Sequence, residues 1–200
     1  MSEFNPKSSR TIIIVGLVWL LIALTIGYLR LLEPVPRAIN QVILLVLTFS
    51  LLIAFYKSQA FHVWVMGLPL RALILVHVVR FVGFYFLFLY RRGELPYAFA
   101  VQGGWGDILV ATTAIIVAMF VGAKPRRPYL VLAWNTLGLI DILMVVITAG
   151  RLGLSNPDSI VALTRLPLSL LPTFVVPLII FTHIVIFYRV RKIIKQGVKD

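Results

Sequence analysis

Six long apolar runs, separated by short polar breaks, leave this chain few ways to fold. A helix needs about 20 apolar residues to cross a bilayer. The runs cover residues 11–32, 38–56, 70–90, 105–123, 129–150 and 166–188. In hydrocarbon every backbone polar group must find its partner within the protein, so the runs are expected to be helices. Their continuous hydrophobicity does not fit the alternation of a membrane β-barrel. Turn residues fill the breaks: Glu33-Pro34-Val35-Pro36-Arg37, Gly67-Leu68-Pro69, Lys124-Pro125-Arg126-Arg127-Pro128 and Leu154-Ser155-Asn156-Pro157-Asp158. Such short connections make consecutive helices antiparallel neighbours. The expected fold class is an all-α integral membrane protein, a six-transmembrane-helix bundle forming a single membrane domain over residues 1–200.

Composition agrees. With 60% hydrophobic and 13% charged residues, a soluble domain would expose far more apolar surface than water tolerates, and disorder is excluded as well. The absence of cysteine removes disulfide frameworks, thiolate metal sites and cysteine nucleophiles. The first run follows Lys7 and Arg10 as a signal peptide would, but it is too long for an h-region and no small-x-small site follows. It is expected to remain as a span.

The formal charge of +12 sorts by position. With the N-terminus in the cytoplasm, 12 bases lie on the inner side: Lys7, Arg10, Lys57, Arg71, Lys124, Arg126, Arg127, Arg189, Arg191, Lys192, Lys195 and Lys199. The outer side holds 6, namely Arg30, Arg37, Arg91, Arg92, Arg151 and Arg165. The positive-inside rule then places both termini in the cytoplasm and the protein in the plasma (inner) membrane as a multi-pass chain. Residues 189–200 read as a basic cytoplasmic tail that touches anionic lipid. The tail lacks a folded basic module with interleaved aromatics, so nucleic acid is not an expected partner.

One base, Arg80, lies within a span. It sits about 13 Å from Arg71 at the helical rise per residue, too deep to reach water easily, and it needs an anionic partner. Asp141, about 18 Å from the inner end of its own run, is the expected partner. His77 lies three residues before Arg80, on the same helix face. In the fifth run Trp134, Gly138, Asp141 and Thr148 form one stripe with Asn135 beside it. The small Gly138 permits close approach of a neighbouring helix or a ligand. His77 and His183 lie at matched depths, about 9 Å inside the inner boundary. Two such histidines suit haem b ligated from both sides, a quinone or a metal, with His62 as a third nitrogen. Pro172 and Pro177 should kink the sixth helix, with Pro167 in its opening turn, and Ser169 and Thr173 are placed to satisfy freed carbonyls. Such breaks also line ligand paths.

Gly104-x-Gly106-Asp107 resembles the catalytic motif of the GxGD intramembrane aspartyl proteases. Asp107 and Asp141 are then the catalytic candidates, since two carboxylates sharing a proton suit peptide hydrolysis. Against this, the order of the two aspartates is reversed relative to that family. The plainer reading is a glycine turn with Asp107 capping a helix near the outer surface. The wider pattern resembles a group of small uncharacterised bacterial membrane proteins. The matching stretches are Arg80-x-x-Gly83, Tyr90 through Gly93-x-Leu95-Pro96-x-x-Phe99-Ala100, Gly104-x-Gly106-Asp107, Trp134-Asn135-x-x-Gly138-x-x-Asp141 and Pro172-x-x-x-Val176-Pro177, ending at His183. That resemblance implies no activity, substrate or cofactor.

Four readings follow. The leading one is a buried polar site of His77, Arg80, Asp107, Asn135, Asp141 and His183, with Trp134 beside it, that binds or passes a small ligand, ion or proton. The others are a haem- or quinone-binding redox protein, an aspartyl protease, and an accessory subunit whose buried charges only specify packing. No P-loop, dinucleotide fingerprint, HExxH or nucleophile elbow is present.

Overall fold

The computed structural model describes residues 6–121 and 128–197. Lys124, Pro125, Arg126, Arg127 and Lys199 lie outside the described residues. Six helices are long and apolar enough to cross a membrane: Pro6–Tyr28, Arg37–Lys57, Leu70–Arg91, Tyr97–Phe120, Pro128–Ser155 and Leu171–Lys195. They are the first to sixth spans below. Among the described residues there is no strand, so the chain is an all-helical, multi-pass membrane protein. Apolar side chains such as Leu21, Val46, Leu109, Leu137 and Met144 face outward, where lipid is their solvent.

Two apolar clusters fill opposite ends of the bundle. One contains Phe55, Ile74, Val117, Val131, Phe181 and Val190. The other contains Phe86, Leu95, Phe99, Ile160 and Leu168. Along the third, fourth and fifth spans, Arg80, Asp107 and Asp141 fall between these clusters, so the polar residues occupy a middle layer.

Three local features position that layer. First, the third span tightens into a 3-10 helix over Val76–Phe81. At three residues per turn, His77 and Arg80 stack on one face. Second, the fourth span begins at Tyr97, after Pro96, rather than at residue 105. Gly103, Gly104 and Gly106 are therefore inside a helix and do not form a turn. A Cβ on Gly104 would lie 2.9 Å from the Gly83 carbonyl oxygen, and one on Gly83 would overlap the Gly104 carbonyl. The glycines are needed because two helix backbones touch. Asp107 accordingly lies about 15 Å along the helix from Tyr97, and neither caps a terminus nor lies near the surface.

Third, the sixth span is broken. Its helix begins with a π turn, Leu171–Val175, so Pro167 lies in the preceding turn and not in the helix. Pro177 has no N–H and leaves the Thr173 carbonyl free. Trp19 of the first span donates its indole N–H to that carbonyl at 2.8 Å. Leu171 N–H donates to the Leu168 carbonyl at 3.0 Å, which Pro172 cannot reach. Thr173 Oγ1 donates to the Ser169 carbonyl at 2.7 Å, while Ser169 Oγ makes no hydrogen bond.

Between the second and third spans, the expected loop contains a short helix, Gln59–Gly67, whose Ser58 hydroxyl accepts from Phe61 N–H at 3.3 Å. Arg189 donates to the Leu68 carbonyl at the end of that helix. Residues 189–197 continue the sixth helix.

Candidate functional site

Arg80 lies at the centre of the middle layer with 2% of its surface exposed. All three of its guanidinium nitrogens donate a hydrogen bond. Nε donates to Asp107 Oδ1 at 2.6 Å, Nη1 donates to the Gly138 carbonyl at 3.0 Å, and Nη2 donates to Asp141 Oδ2. Three spans thus meet on one side chain. A planar fork is suited to this, because its donors leave in fixed directions toward two carboxylates. The carboxylates are not equivalent: the Asp107 side chain is 5% exposed and the Asp141 side chain 22%.

The motif glycines seat this centre. A Cβ on Gly106 would overlap the Asp141 carboxylate. One on Gly138 would come within 2.8 Å of His183 Cε1 and 3.2 Å of Val110 Cγ1. In Gly104-x-Gly106-Asp107, then, Gly104 meets the Gly83 backbone, Gly106 makes room for Asp141, and Asp107 binds Arg80.

A neutral cluster adjoins the charged one. His77 and His183 are both fully buried, with ring centroids 4.2 Å apart. Trp134 stands edge-on to His77 at 5.2 Å and donates its indole N–H to Thr113 Oγ1 at 3.2 Å. Asn135 holds His183 twice: its Nδ2 donates to the His183 carbonyl at 3.0 Å and its Oδ1 accepts from His183 Nδ1 at 2.8 Å. Thr182 Oγ1 donates to the Ile179 carbonyl at 2.9 Å, so toward His77 Nε2, 3.3 Å away, it serves as acceptor. One nitrogen of each imidazole, His77 Nδ1 and His183 Nε2, is buried and makes no hydrogen bond.

Of the residues singled out from the sequence, His77, Arg80, Asp107, Trp134, Asn135, Asp141 and His183 lie in these two adjoining clusters, joined through Gly138. His62 does not. It packs against Phe55 at 4.5 Å and Tyr188 at 6.2 Å, with Nδ1 3.3 Å from the Phe55 carbonyl. Thr148 is outside both clusters. Thr182, Thr113 and Trp19 were missed, because a lone hydroxyl or indole in an apolar run carries no periodic signal of its own.

The geometry corrects two expectations. Ligation of one iron from both sides, at metal–nitrogen distances of about 2 Å, holds imidazole centroids roughly 6 Å apart with the porphyrin between them. Rings at 4.2 Å are in direct contact, so haem b does not fit between His77 and His183. Among the described residues, no three His, Cys, Asp or Glu side chains are grouped to hold a metal ion. The protease dyad fails for a different reason. An aspartyl protease leaves its two carboxylates to share a proton, whereas here each is bound by Arg80, Asp107 through Nε and Asp141 through Nη2.

A family model described as a domain of unknown function (DUF8737) matches residues 38–191. No curated protein and no solved structure matches the chain.

Proposed function

The chain belongs to the DUF8737 family, and from that premise we propose that its middle layer is a proton-exchange centre, through which the protein passes protons within the membrane. The observation that carries this reading is the charge count. Two carboxylates share one guanidinium, so the trio has a net charge of −1 when both are ionised and zero when one holds a proton. In a bilayer an uncompensated charge is costly, and a single mobile proton removes it. Asp141 is the exchanging group, because it is the more accessible carboxylate and Asp107 is enclosed. The 3-10 turn under Arg80 supports the same reading, since such tightened turns within long helices often mark hinges.

Positive-inside counting supports cytoplasmic termini in a plasma membrane, which fusions of a topology reporter to each terminus test directly. Proton passage is tested with purified protein in liposomes carrying an internal pH dye and a potassium diffusion potential. Protein-dependent acidification is expected, and Asp141→Asn should abolish it. Equal rates with wild-type protein, Asp141→Asn protein and empty liposomes would refute proton passage.

A further inference from the structure

A second polar feature lies between the second, fifth and sixth spans. Arg37, Asn40 and Gln41 open a narrow slot whose inner wall is Leu44, Val145 and Val176. Its volume is about 50 Å³, room for a few water molecules by the usual requirement of roughly 10–15 Å³ each. Two polar atoms on it are buried and make no hydrogen bond: Asn40 Oδ1 and Arg37 Nε. Asn40 itself is 6% exposed. An orphaned acceptor and an orphaned donor on one slot are complementary to water, which donates to the first and accepts from the second. Left dry, each would cost about 1–3 kcal/mol.

The slot points toward the proposed exchange centre. Val145, on its inner wall, follows Asp141 by four residues on the same face of the fifth span, about 6 Å along the helix. Val145 also rests on the fourth span, where a Cβ on Gly103 would come within 3.0 Å of its Cγ2. We infer that this slot is a water-filled entry from the Arg37 end of the bundle, ending at Val145 one helical turn from the Asp141 carboxylate. The entry rests on the proton-exchange reading for its purpose, but its hydration is independent of it. Arg37 is the charged group facing the slot. Beyond Val145, the groups facing Asp141 are Arg80 from the third span and Asp107 from the fourth.

The chain has no native cysteine, so hydration can be read with single thiols. Val146→Cys and Ala149→Cys place a thiol on the slot. Val42→Cys and Ile147→Cys place one on the lipid-facing surface of the second and fifth spans. Silver ion, close to water in size, reacts with thiolate, which forms in water and not in hydrocarbon. The slot positions should therefore react at least about tenfold faster than the lipid-facing ones in liposomes. Adding Asn40→Leu to Val146→Cys should remove most of that advantage. Radiolytic hydroxyl labelling of the unsubstituted protein gives a second measurement. Phe99 lines the slot and should be oxidised well above Phe55, which is equally buried but in the apolar cluster. Equal reactivity at slot and lipid positions, or equal labelling of Phe99 and Phe55, would overturn the entry. Wet slot positions in a protein without proton flux would instead refute the exchange reading and leave the entry standing.

Discussion

The first span and the middle of the third to sixth spans have similar apolar sequences but different situations. Only 11% of the most apolar stretch of the first span is buried, against 67% in the sixth. The first span lies outside the matched family region, residues 38–191. It is held by a few specific contacts: the Trp19 indole on the Thr173 carbonyl, Trp19 against the Phe174 ring at 4.6 Å, and Gly27 against Ser169 and Leu166. In the middle layer, by contrast, large polar groups from the third to sixth spans converge on Arg80 or on the histidine pair. Hydropathy identifies both regions as spans. What separates them is the cost of leaving a polar group without its partner, small at the periphery and large at the centre.

That contrast can be broken experimentally, most severely by Arg80→Leu. Losing the guanidinium strands two buried carboxylates, and removing one partner of a buried ion pair costs about 3–5 kcal/mol. A large fall in thermal stability in mild detergent is expected. The triple substitution Arg80→Leu, Asp107→Leu, Asp141→Leu should recover most of that loss, since a buried charge triad replaced by apolar residues is often neutral for stability. The triple variant should nevertheless pass no protons. If it retained full function, the charges would serve packing alone.

Gly106→Ala ranks next. Its methyl group would overlap the Asp141 carboxylate, and overpacking of this kind costs about 1–3 kcal/mol. A thermal melt is the readout, and the same substitution at Gly16, which has open space around it, is the matched control. Asn135→Leu leaves both the His183 carbonyl and His183 Nδ1 without their partner, with an expected cost of about 1–3 kcal/mol. Trp19→Phe should have the smallest effect, about 1 kcal/mol for one hydrogen bond to a carbonyl. A Trp19→Phe loss as large as that of Arg80→Leu would erase the distinction between periphery and centre.

Much of this was legible in the sequence, for reasons that differ by residue. Six spans follow from apolar length alone. Arg80 and Asp141 stand out because hydrocarbon makes a lone charge expensive and their depths can be counted from the span ends. Asp107 was misplaced because three nearby glycines look like a turn when read locally. Their helical state is set by the Gly83 backbone on another span, which no local pattern displays. The proline break in the sixth span was readable, but its remedy was not: Trp19 lies 154 residues from Thr173. The histidine pair was found by depth, yet its ring contact, which excludes haem, depends on Asn135 and Thr182 fixing both rings.

The central claim is that the Arg80 trio carries one exchangeable proton. Infrared difference spectroscopy of the protein in lipid, titrated with pH in H₂O and D₂O, measures this directly. A carboxylic acid C=O band should appear as pH falls, shift in D₂O, and vanish in both Asp141→Asn and Asp107→Asn, since either substitution leaves one carboxylate to one guanidinium and neutrality then needs no proton. No pH-dependent carboxylic band in the wild-type protein, or one that survives Asp141→Asn unchanged, would contradict the claim.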